Sequence, residues 1–414
     1  MRYVPALLVI GWGLIHILPA CDLYLWDGKM ICAAADAVAK SPPGTGLNPA
    51  YGKLIDEAEA AMLRGPFAVT DKTRLPPSGN LHDFCTLSPY FWPISWLPGG
   101  KPYYFRDGKV NPEAKSDAYD RERYFDLIQT MQTLALAYRF SGQEKYAKQG
   151  ALLLRRWFLE EATAMNPNFE YAQAIPGWLA GSSLGVIRGS ELVMILDASR
   201  LIEKSGHWTE QDEAGLKIWF SRYLDWVVNS DFGKKDGKRK NNHGTWHDVH
   251  ITAIALYVGR KALARDVALS IPDNRLKRQI NRLGEQKYEL RRSRSWEYSL
   301  YNLRGLYAMA TLAERLGIDL WNYQQDGVKP LEAASTFLAP YAAGKRQWPH
   351  HQLKKSDVWA KELGAVVFQQ ASQRYPSHGF TQALVCLDDL DATHRLRLLH
   401  ARSKSPEVLA SVIR

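Results

Sequence analysis

Apolar side chains recur every three or four residues along most of the chain, which is the spacing of one face of an α-helix. Gly142 ends the clearest such run, which comprises Tyr124, Leu127, Ile128, Met131, Leu134, Ala135 and Tyr138. The same pattern predicts further helices at about 29–39, 51–65, 144–158, 188–203, 209–228, 247–265, 272–284, 296–316, 328–342, 354–373 and 378–386. Thr209 and Asp212 form a predicted capping box at the start of one of them.

This order of elements predicts an all-α fold, because alternating runs of β-branched residues are scarce. Helices of about 12 to 20 residues joined by short turns indicate antiparallel pairs stacked in a ring or solenoid. No strict repeat is present in the sequence, which favours a diverged (α/α) toroid, an incomplete helical barrel of antiparallel helix pairs. We therefore predict a single domain over residues 22–414.

Residues 70–115 interrupt the helical periodicity with proline, glycine and aromatic residues. Irregular segments of this length within a compact domain are usually binding loops or lids. We therefore predict a ligand-binding loop at about 75–115.

The N-terminus has the pattern of an export signal. An apolar run from Tyr3 to Ile17 follows Met1 and Arg2, and small residues precede Cys21. We predict a signal peptide over residues 1–21 and a periplasmic or secreted protein, with an uncleaved hydrophobic helix as the alternative. The Leu-Pro-Ala-Cys ending resembles a bacterial lipoprotein signal, so lipidated Cys21 is the one predicted membrane anchor. Export would also permit a disulfide between Cys32 and Cys85.

The composition indicates which kinds of partner the protein could bind. The 414 residues carry a net charge of +10 and include 14 tryptophans and 20 tyrosines. A basic balance suits an acidic polymer, nucleic acid or an anionic surface, and the sequence contains no nucleic-acid-binding motif. The basic run at 234–240 is predicted as a solvated loop that could also steer a polyanion.

Two stretches carry candidate chemistry. Asn-Asn-His-Gly at 241–244 is poor helix material that precedes a buried helix, so Asn242 and His243 are predicted at a helix N-terminus, where anions are favoured. Three arginines precede a predicted helix bearing Tyr298, which places positive charge beside a phenol. The alternatives are a plain helix cap with a core imidazole, and a solvated arginine face with Tyr298 in the core.

Six segments in one order resemble the alginate-lyase-type domain of polysaccharide lyases, over about residues 75–345. They are SPYFWP at 88–93, DGKVNPE at 107–113, MNPN with YAQAIPG at 165–177, NNHGTW at 241–246, RSRS with YSLYNL at 292–303, and GIDLW at 317–321. This chain departs from the family at Lys287 and Tyr288, at His247, and at 185–188. The departures bear on substrate preference more than on reaction type.

The resemblance implies an (α/α) toroid that cleaves a 4-linked uronic acid polymer, mannuronate-rich alginate or a β-1,4-glucuronan, by β-elimination. Removal of the C5 proton requires donors that neutralise the adjacent carboxylate. Asn242 and His243 can donate hydrogen bonds, and Arg292 a bidentate one. Tyr298 can serve as base and then as acid, because H5 and O4 lie on one ring face in β-linked mannuronate, and His243 is the competing base. No metal or other cofactor is needed.

The substrate-binding residues follow from the same interpretation. Aromatic rings can stack on sugars, and cationic or amide groups can bind carboxylates. The predicted set is Tyr90, Trp92, Tyr104, Arg106, Tyr171, Gln173, Trp246 and His247. The alternative for Trp92 and Tyr104 is a place in the core.

Three other functions remain open from the sequence. A metal hydrolase could use His243, His247, Asp248 and His250, although no HExxH motif is present. A glycoside hydrolase on a similar toroid could use Asp248 and Glu297 as its two carboxylates. A non-catalytic polyanion-binding protein would need only the basic and aromatic surface. The lyase differs from all three because it forms an unsaturated product.

Overall fold

The computed structural model describes residues 22–42, 44–106, 109–353, 358–384 and 390–400. The predicted signal peptide with Cys21 lies outside the described residues, as do residues 107 and 108 of one family segment. Within the described ranges, no helix combines the length and the apolar character needed to cross a membrane.

The helices account for most of the described chain. They are α1 (Gly28–Lys40), α2 (Asn48–Met62), α3 (Arg121–Ser141), α4 (Glu144–Leu154), α5 (Gly189–Ile202), α6 (Glu210–Asn229), α7 (Asp231–Gly237), α8 (Asn242–Tyr257), α9 (Lys261–Ile271), α10 (Lys277–Gln279), α11 (Ser295–Glu314), α12 (Pro330–Ala342) and α13 (Val358–Arg374). A helical turn at Leu396–Leu399 follows. Thr209 caps α6 through the predicted box with Asp212.

Alternate helices form an inner row. Along this row α3 packs on α5, α5 on α8, α8 on α11, and α11 on α13. The helices α4, α6, α9 and α12 pack against the outside of the row. The turn at Leu396–Leu399 contacts α1, α2 and α13, which brings the end of the described chain back to its beginning. This arrangement confirms the predicted all-α class.

The inner helix α8 is buried on nearly all sides. A helix in this position is expected to be apolar all round, yet α8 also buries Asp248 and His250. Buried polar groups need partners. Asp248 accepts from Nε and Nη2 of Arg275 at 2.6 and 3.1 Å, and His250 Nδ1 lies 3.0 Å from the Trp246 carbonyl oxygen.

Short strands lie within the segments predicted as irregular. β1 (Cys85–Leu87) pairs in parallel with β4 (Tyr171–Ala174), and β2 (Phe91–Trp92) pairs antiparallel with β3 (Tyr104–Phe105). The β1–β4 pair joins the predicted ligand-binding loop to the segment after α4 that carries the predicted substrate contacts Tyr171 and Gln173.

The structure corrects four sequence expectations. The helix predicted at 247–265 is two helices, since α8 ends where the Arg260 N–H donates to the Ala255 carbonyl at 2.7 Å. The helix predicted at 272–284 stops at Gln279, and the basic run at 234–240 is largely helix α7. Cys32 and Cys85 are both free thiols, on α1 and β1 respectively, so the suggested disulfide is absent.

A buried ion pair fastens the irregular segment to α3. Lys72 Nζ lies 3.1 Å from Asp120 Oδ2, and both side chains are fully buried. Asp120 also accepts from the Cys85 N–H at 2.8 Å, and Lys72 donates to the Leu81 carbonyl at 2.7 Å. Burial raises the pKa of Asp120 to about 6, although Lys72 and the Cys85 N–H counteract the rise. The charged forms of Lys72 and Asp120 therefore stabilise each other in the interior.

Replacing Lys72 by Met is expected to lower the free energy of unfolding by about 3–5 kcal/mol, because the buried Asp120 would lose its fully buried counter-ion and keep only Arg123, at 3.4 Å. Urea unfolding followed by circular dichroism measures the change. The exposed Lys115→Met variant serves as the control, with an expected change within about 0.5 kcal/mol. A loss below about 1 kcal/mol in Lys72→Met would contradict the role assigned to the pair.

Candidate active site

The start of α8 is packed tightly against the end of α7. The helix begins at Asn242, which confirms the predicted helix N-terminus. At Gly244 a Cβ atom would lie 2.2 Å from the Arg239 carbonyl oxygen and 2.6 Å from Nη1 of Arg275, so glycine is required. Arg275 donates to the carbonyls of Gly237 and Arg239 at 2.7 and 2.9 Å, which ties the two helices together.

Asp236 on α7 lies between two imidazoles. Its Oδ1 is 3.0 Å from His243 Nδ1, and its Oδ2 is 3.6 Å from His247 Nδ1. Burial alone would raise the pKa of Asp236, but the two imidazoles outweigh that effect and lower it to about 2. An ionised carboxylate can only accept hydrogen bonds, so the proton of His243 is held on Nδ1 and Nε2 is left for another partner.

Asn242 is bound twice by one carboxylate. Its backbone N–H and its side-chain Nδ2 donate to Oε1 and Oε2 of Glu289 at 2.6 and 2.8 Å. Burial raises the pKa of Glu289 to about 7, partly offset by the Asn242 donors and by Arg292. The anion predicted at this helix N-terminus is therefore supplied by the protein itself, and one Nδ2 hydrogen of Asn242 remains for a ligand.

Arg292 covers the ring of Tyr298. Its guanidinium carbon lies 4.1 Å from the ring centroid, and Tyr298 is half-buried in the first turn of α11. The Arg292 N–H donates to the Glu289 carbonyl oxygen at 2.9 Å. A cation in this position attracts the ring.

These contacts bring the four predicted catalytic residues into one cluster. Glu289 bonds Asn242 directly and connects it to Arg292, Arg292 contacts Tyr298, and His243 follows Asn242 on α8. Asp236 and Glu289 were not assigned a role from the sequence. Each lies in a run rich in arginine or lysine, at 234–240 and at 289–294, and is the one acidic residue of its run. This pattern was the signal in the sequence that could have identified them.

The predicted aromatic platform is partly assembled. Arg106 lies over the Trp92 ring at 4.9 Å, and Trp92 Nε1 donates to the Lys109 carbonyl at 2.9 Å. Tyr104 is 44% exposed, and Tyr90 packs edge-on against Phe105 with ring centroids 6.4 Å apart. The indole of Trp92 and the phenol of Tyr104 thus stay accessible on the β2–β3 hairpin rather than filling the core.

Tyr171 and Gln173 lie on β4, opposite β1. Tyr171 is half-buried against the small core around Tyr103. Gln173 has a φ of +52° although it is not glycine, its N–H donates to Thr86 Oγ1 at 2.9 Å, and its Nε2 donates to the Leu184 carbonyl at 3.0 Å. Such strained backbone is held by surrounding contacts and is common at functional sites.

Two predicted substrate contacts are corrected. Trp246 is 2% exposed, stacks on Tyr301 with centroids 4.9 Å apart, and donates to the Tyr301 carbonyl at 3.2 Å. It is a core residue, because α8 turns this face toward α11. His247 is also buried, and its Nδ1 faces Asp236 rather than the surface.

The carboxylates proposed for a hydrolase have other partners. Asp248 is held by Arg275, as described above. Glu297 is fully buried, with Oε1 2.9 Å from Nη2 of Arg294 and with Gln352 donating to Oε2. Neither carboxylate is available to act as acid or base. Across the described part of the chain, no group of three or more His, Cys, Asp and Glu side chains is arranged to hold a metal ion.

Comparisons with known proteins place this arrangement in a family. Residues 68–348 match the family model for alginate lyase. The chain is similar to a solved alginate lyase from Bacteroides ovatus at 33% identity and a TM-score of 0.85, covering 92% of this chain and 99% of that one. A comparison with curated proteins found no match.

More distant structures share the fold. Alginate lyase A1-III from Sphingomonas species A1 is 16% identical with a TM-score of 0.54, covering 90% of this chain and 94% of that one. An A1-III variant in complex with a tetrasaccharide has the same identity and TM-score, covering 92% and 95%. These similarities confirm the predicted (α/α) toroid. Because the family model spans residues 68–348 and the Bacteroides ovatus enzyme aligns over nearly all of both chains, this protein belongs to the alginate lyase family and is a polysaccharide lyase.

Proposed function

We propose that this lyase cleaves mannuronate-rich alginate or a related β-1,4-linked glucuronan, leaving a 4,5-unsaturated uronate at the new end. The observation that carries the proposal is the cluster at the start of α8 and α11. There Glu289 binds the Asn242 amide, Asp236 binds the His243 imidazole, and the Arg292 guanidinium lies against the Tyr298 ring.

In this proposal the substrate carboxylate is neutralised before C5 loses its proton. Arg292 supplies the charge, and Asn242 supplies its remaining Nδ2 hydrogen. His243 Nδ1 lies 3.0 Å from the Asp236 carboxylate, so Nε2 is the nitrogen left for the substrate carboxylate, to which it can donate when both ring nitrogens carry protons. Donors directed at developing negative charge are the main source of rate enhancement in such reactions.

Tyr298 is proposed to remove H5 and then to protonate the leaving O4. The electron pair of the C5–H bond forms the C4–C5 double bond while the C4–O4 bond breaks, and the proton passes to O4. This step requires Tyr298 to start as the phenolate, which takes H5 and then returns the same proton to O4. Neutral His243, with its Nδ1 proton held by Asp236, presents a basic Nε2 and is the second candidate for the base.

The basic run at 234–240 supports an anionic polymer as substrate. Lys234, Lys235, Lys238 and Lys240 are exposed around the end of α7, while Asp236 faces inward. Exposed charges of one sign beside a cleft raise the association rate of an oppositely charged ligand. Asp236, the acidic residue of this run, is therefore proposed to hold His243, and the lysines are proposed to steer the polymer.

Tyr298→Phe is expected to lower kcat about 10²–10⁴-fold, because the phenyl ring retains the contact with Arg292 but cannot transfer a proton. Wild type and variant are assayed on a panel of mannuronate-rich alginate, guluronate-rich alginate and glucuronan by the ultraviolet absorbance of the unsaturated product. His243→Ala, run beside them, is expected to lose about 10²–10³-fold.

Tyr288→Phe is the matched control, since Tyr288 also lies under a cation, Lys287, at 5.2 Å. It should keep wild-type activity. Activity of Tyr298→Phe within a few-fold of wild type would remove Tyr298 from proton transfer. Reducing ends released without ultraviolet absorbance would instead favour hydrolysis.

Asp236→Asn is expected to lower kcat about 10- to 100-fold with KM little changed, as for other groups that orient a catalytic side chain. The amide would no longer hold the His243 proton on Nδ1, and NMR of the imidazole nitrogens would report the altered tautomer. Asp231→Asn, at the exposed first position of the same helix, is the control. An unchanged kcat with an unchanged imidazole spectrum would show that Asp236 fills space and does not orient His243.

We also propose export, with anchoring through Cys21. The sequence pattern of residues 1–21 supports it, since an apolar run after Met1 and Arg2 is followed by small residues before Cys21. Mass spectrometry of the protein purified from its native host is expected to show Cys21 as the first residue, carrying lipid. Retention of Met1 would contradict this proposal.

A further inference from the structure

One cavity is lined by residues that are distant in the sequence from the catalytic cluster. It has a volume of about 610 Å³, and its lining includes Arg74, Leu75, Lys101, Tyr119, Trp178 and Leu179. These residues come from the irregular segment before α3 and from the turn after β4. Leu75 and Lys101 belong to the predicted ligand-binding loop at about 75–115, whereas Trp178 and Leu179 lie outside it.

Trp178 presents an apolar face to this cavity in a fixed position. It is 67% exposed, yet its Nε1 already donates to the Tyr103 carbonyl at 2.9 Å. The Tyr103 N–H donates in turn to the Pro176 carbonyl at 3.0 Å. Gly177 has a φ of +86°, and a Cβ there would lie 2.7 Å from Pro102 Cα. An exposed indole held by its own turn loses little entropy when a ligand packs on it.

Positive charge lines the same cavity. Arg74 is partly exposed and is oriented by Tyr119, whose hydroxyl accepts from Nη1, and by Glu113 at 3.1 Å. Lys101 is exposed on another segment of the wall. Two cations thus face the cavity, and the Glu113 carboxylate is engaged with Arg74. Leu75 and Leu179 add exposed apolar surface beside the indole.

We propose that this cavity is an accessory subsite for uronate residues of the polymer, distinct from the residues that carry out the elimination. The apolar face of a pyranose ring packs on an indole, and its carboxylate is bound by a guanidinium or an ammonium group. Neutral sugars would satisfy the first contact but not the second. The inference rests on the proposed polyuronate substrate, and it places a further stretch of the same chain against Trp178, Arg74 and Lys101.

Trp178→Ala is the principal test. The dissociation constant of a saturated hexauronate is measured by calorimetry in the Tyr298→Phe background, or in wild type if wild type does not cleave it. The expected result is binding weakened about tenfold, because the stacking surface is lost. On the polymer, KM is expected to rise by a similar factor while kcat stays within about twofold.

Two further variants sharpen the test. Trp96→Ala removes a tryptophan that is 82% exposed and does not line the cavity, and it should leave the hexauronate affinity unchanged. Lys101→Gln removes an exposed charge without touching the fold. It should weaken binding about threefold and reduce the salt dependence of binding. A neutral hexasaccharide of the same linkage should bind equally to wild type and Lys101→Gln.

The outcomes separate this subsite from the catalytic proposal. Unsaturated product from wild type, together with an unchanged hexauronate affinity in Trp178→Ala, would overturn the subsite alone. A lower kcat with unchanged KM would also overturn it, because it would indicate a disturbed fold. Failure of wild type to form unsaturated product from any polyuronate would overturn the catalytic proposal, whereas weaker hexauronate binding by Trp178→Ala would still support the cavity as a uronate site.

Discussion

The pairing of Asn242 with Glu289 is the interaction on which the candidate site depends. A carboxylate buried without donors would be costly, and the backbone N–H and the side-chain amide of Asn242, the first residue of α8, supply them. Glu289 belongs to the segment that leads into α11. The pairing therefore fixes the N-terminal ends of two inner helices against each other and holds Tyr298 at a defined place relative to His243.

The two carboxylates of the site differ in charge state because their partners differ. Asp236 contacts two imidazoles, which outweigh its burial, and its pKa is lowered to about 2. Glu289 is bound mainly by neutral amide donors, so burial prevails and its pKa rises to about 7. Near neutral pH, Asp236 is a permanent anion beside His243, while Glu289 can take up a proton beside Asn242. The candidate site thus contains one carboxylate that stays charged near neutral pH and one whose charge changes there.

The ring and the irregular segment have different sources of order. The inner helices pack through a continuous apolar core, whereas the described chain between α2 and α3 combines a small core around Tyr103 with polar anchors such as the Lys72–Asp120 pair and the short β1–β4 ladder. Aromatic side chains on this segment and on the adjoining turn, including Trp92, Tyr104 and Trp178, can therefore stay exposed. Their neighbours are held by hydrogen bonds and do not require the rings to fill a core.

The sequence by itself determined the helical class, most helix positions and the helix start at Asn242, because apolar periodicity and capping are local properties. It also identified the family through six segments in order. It placed Trp246 wrongly and left Asp236 and Glu289 without a role, since nothing in a linear pattern shows which side of a fully buried helix faces a neighbour. Only the tertiary structure decided those partners: α7 and the segment before α11 approach α8 from distant parts of the chain, and burial then dictates which charges must pair.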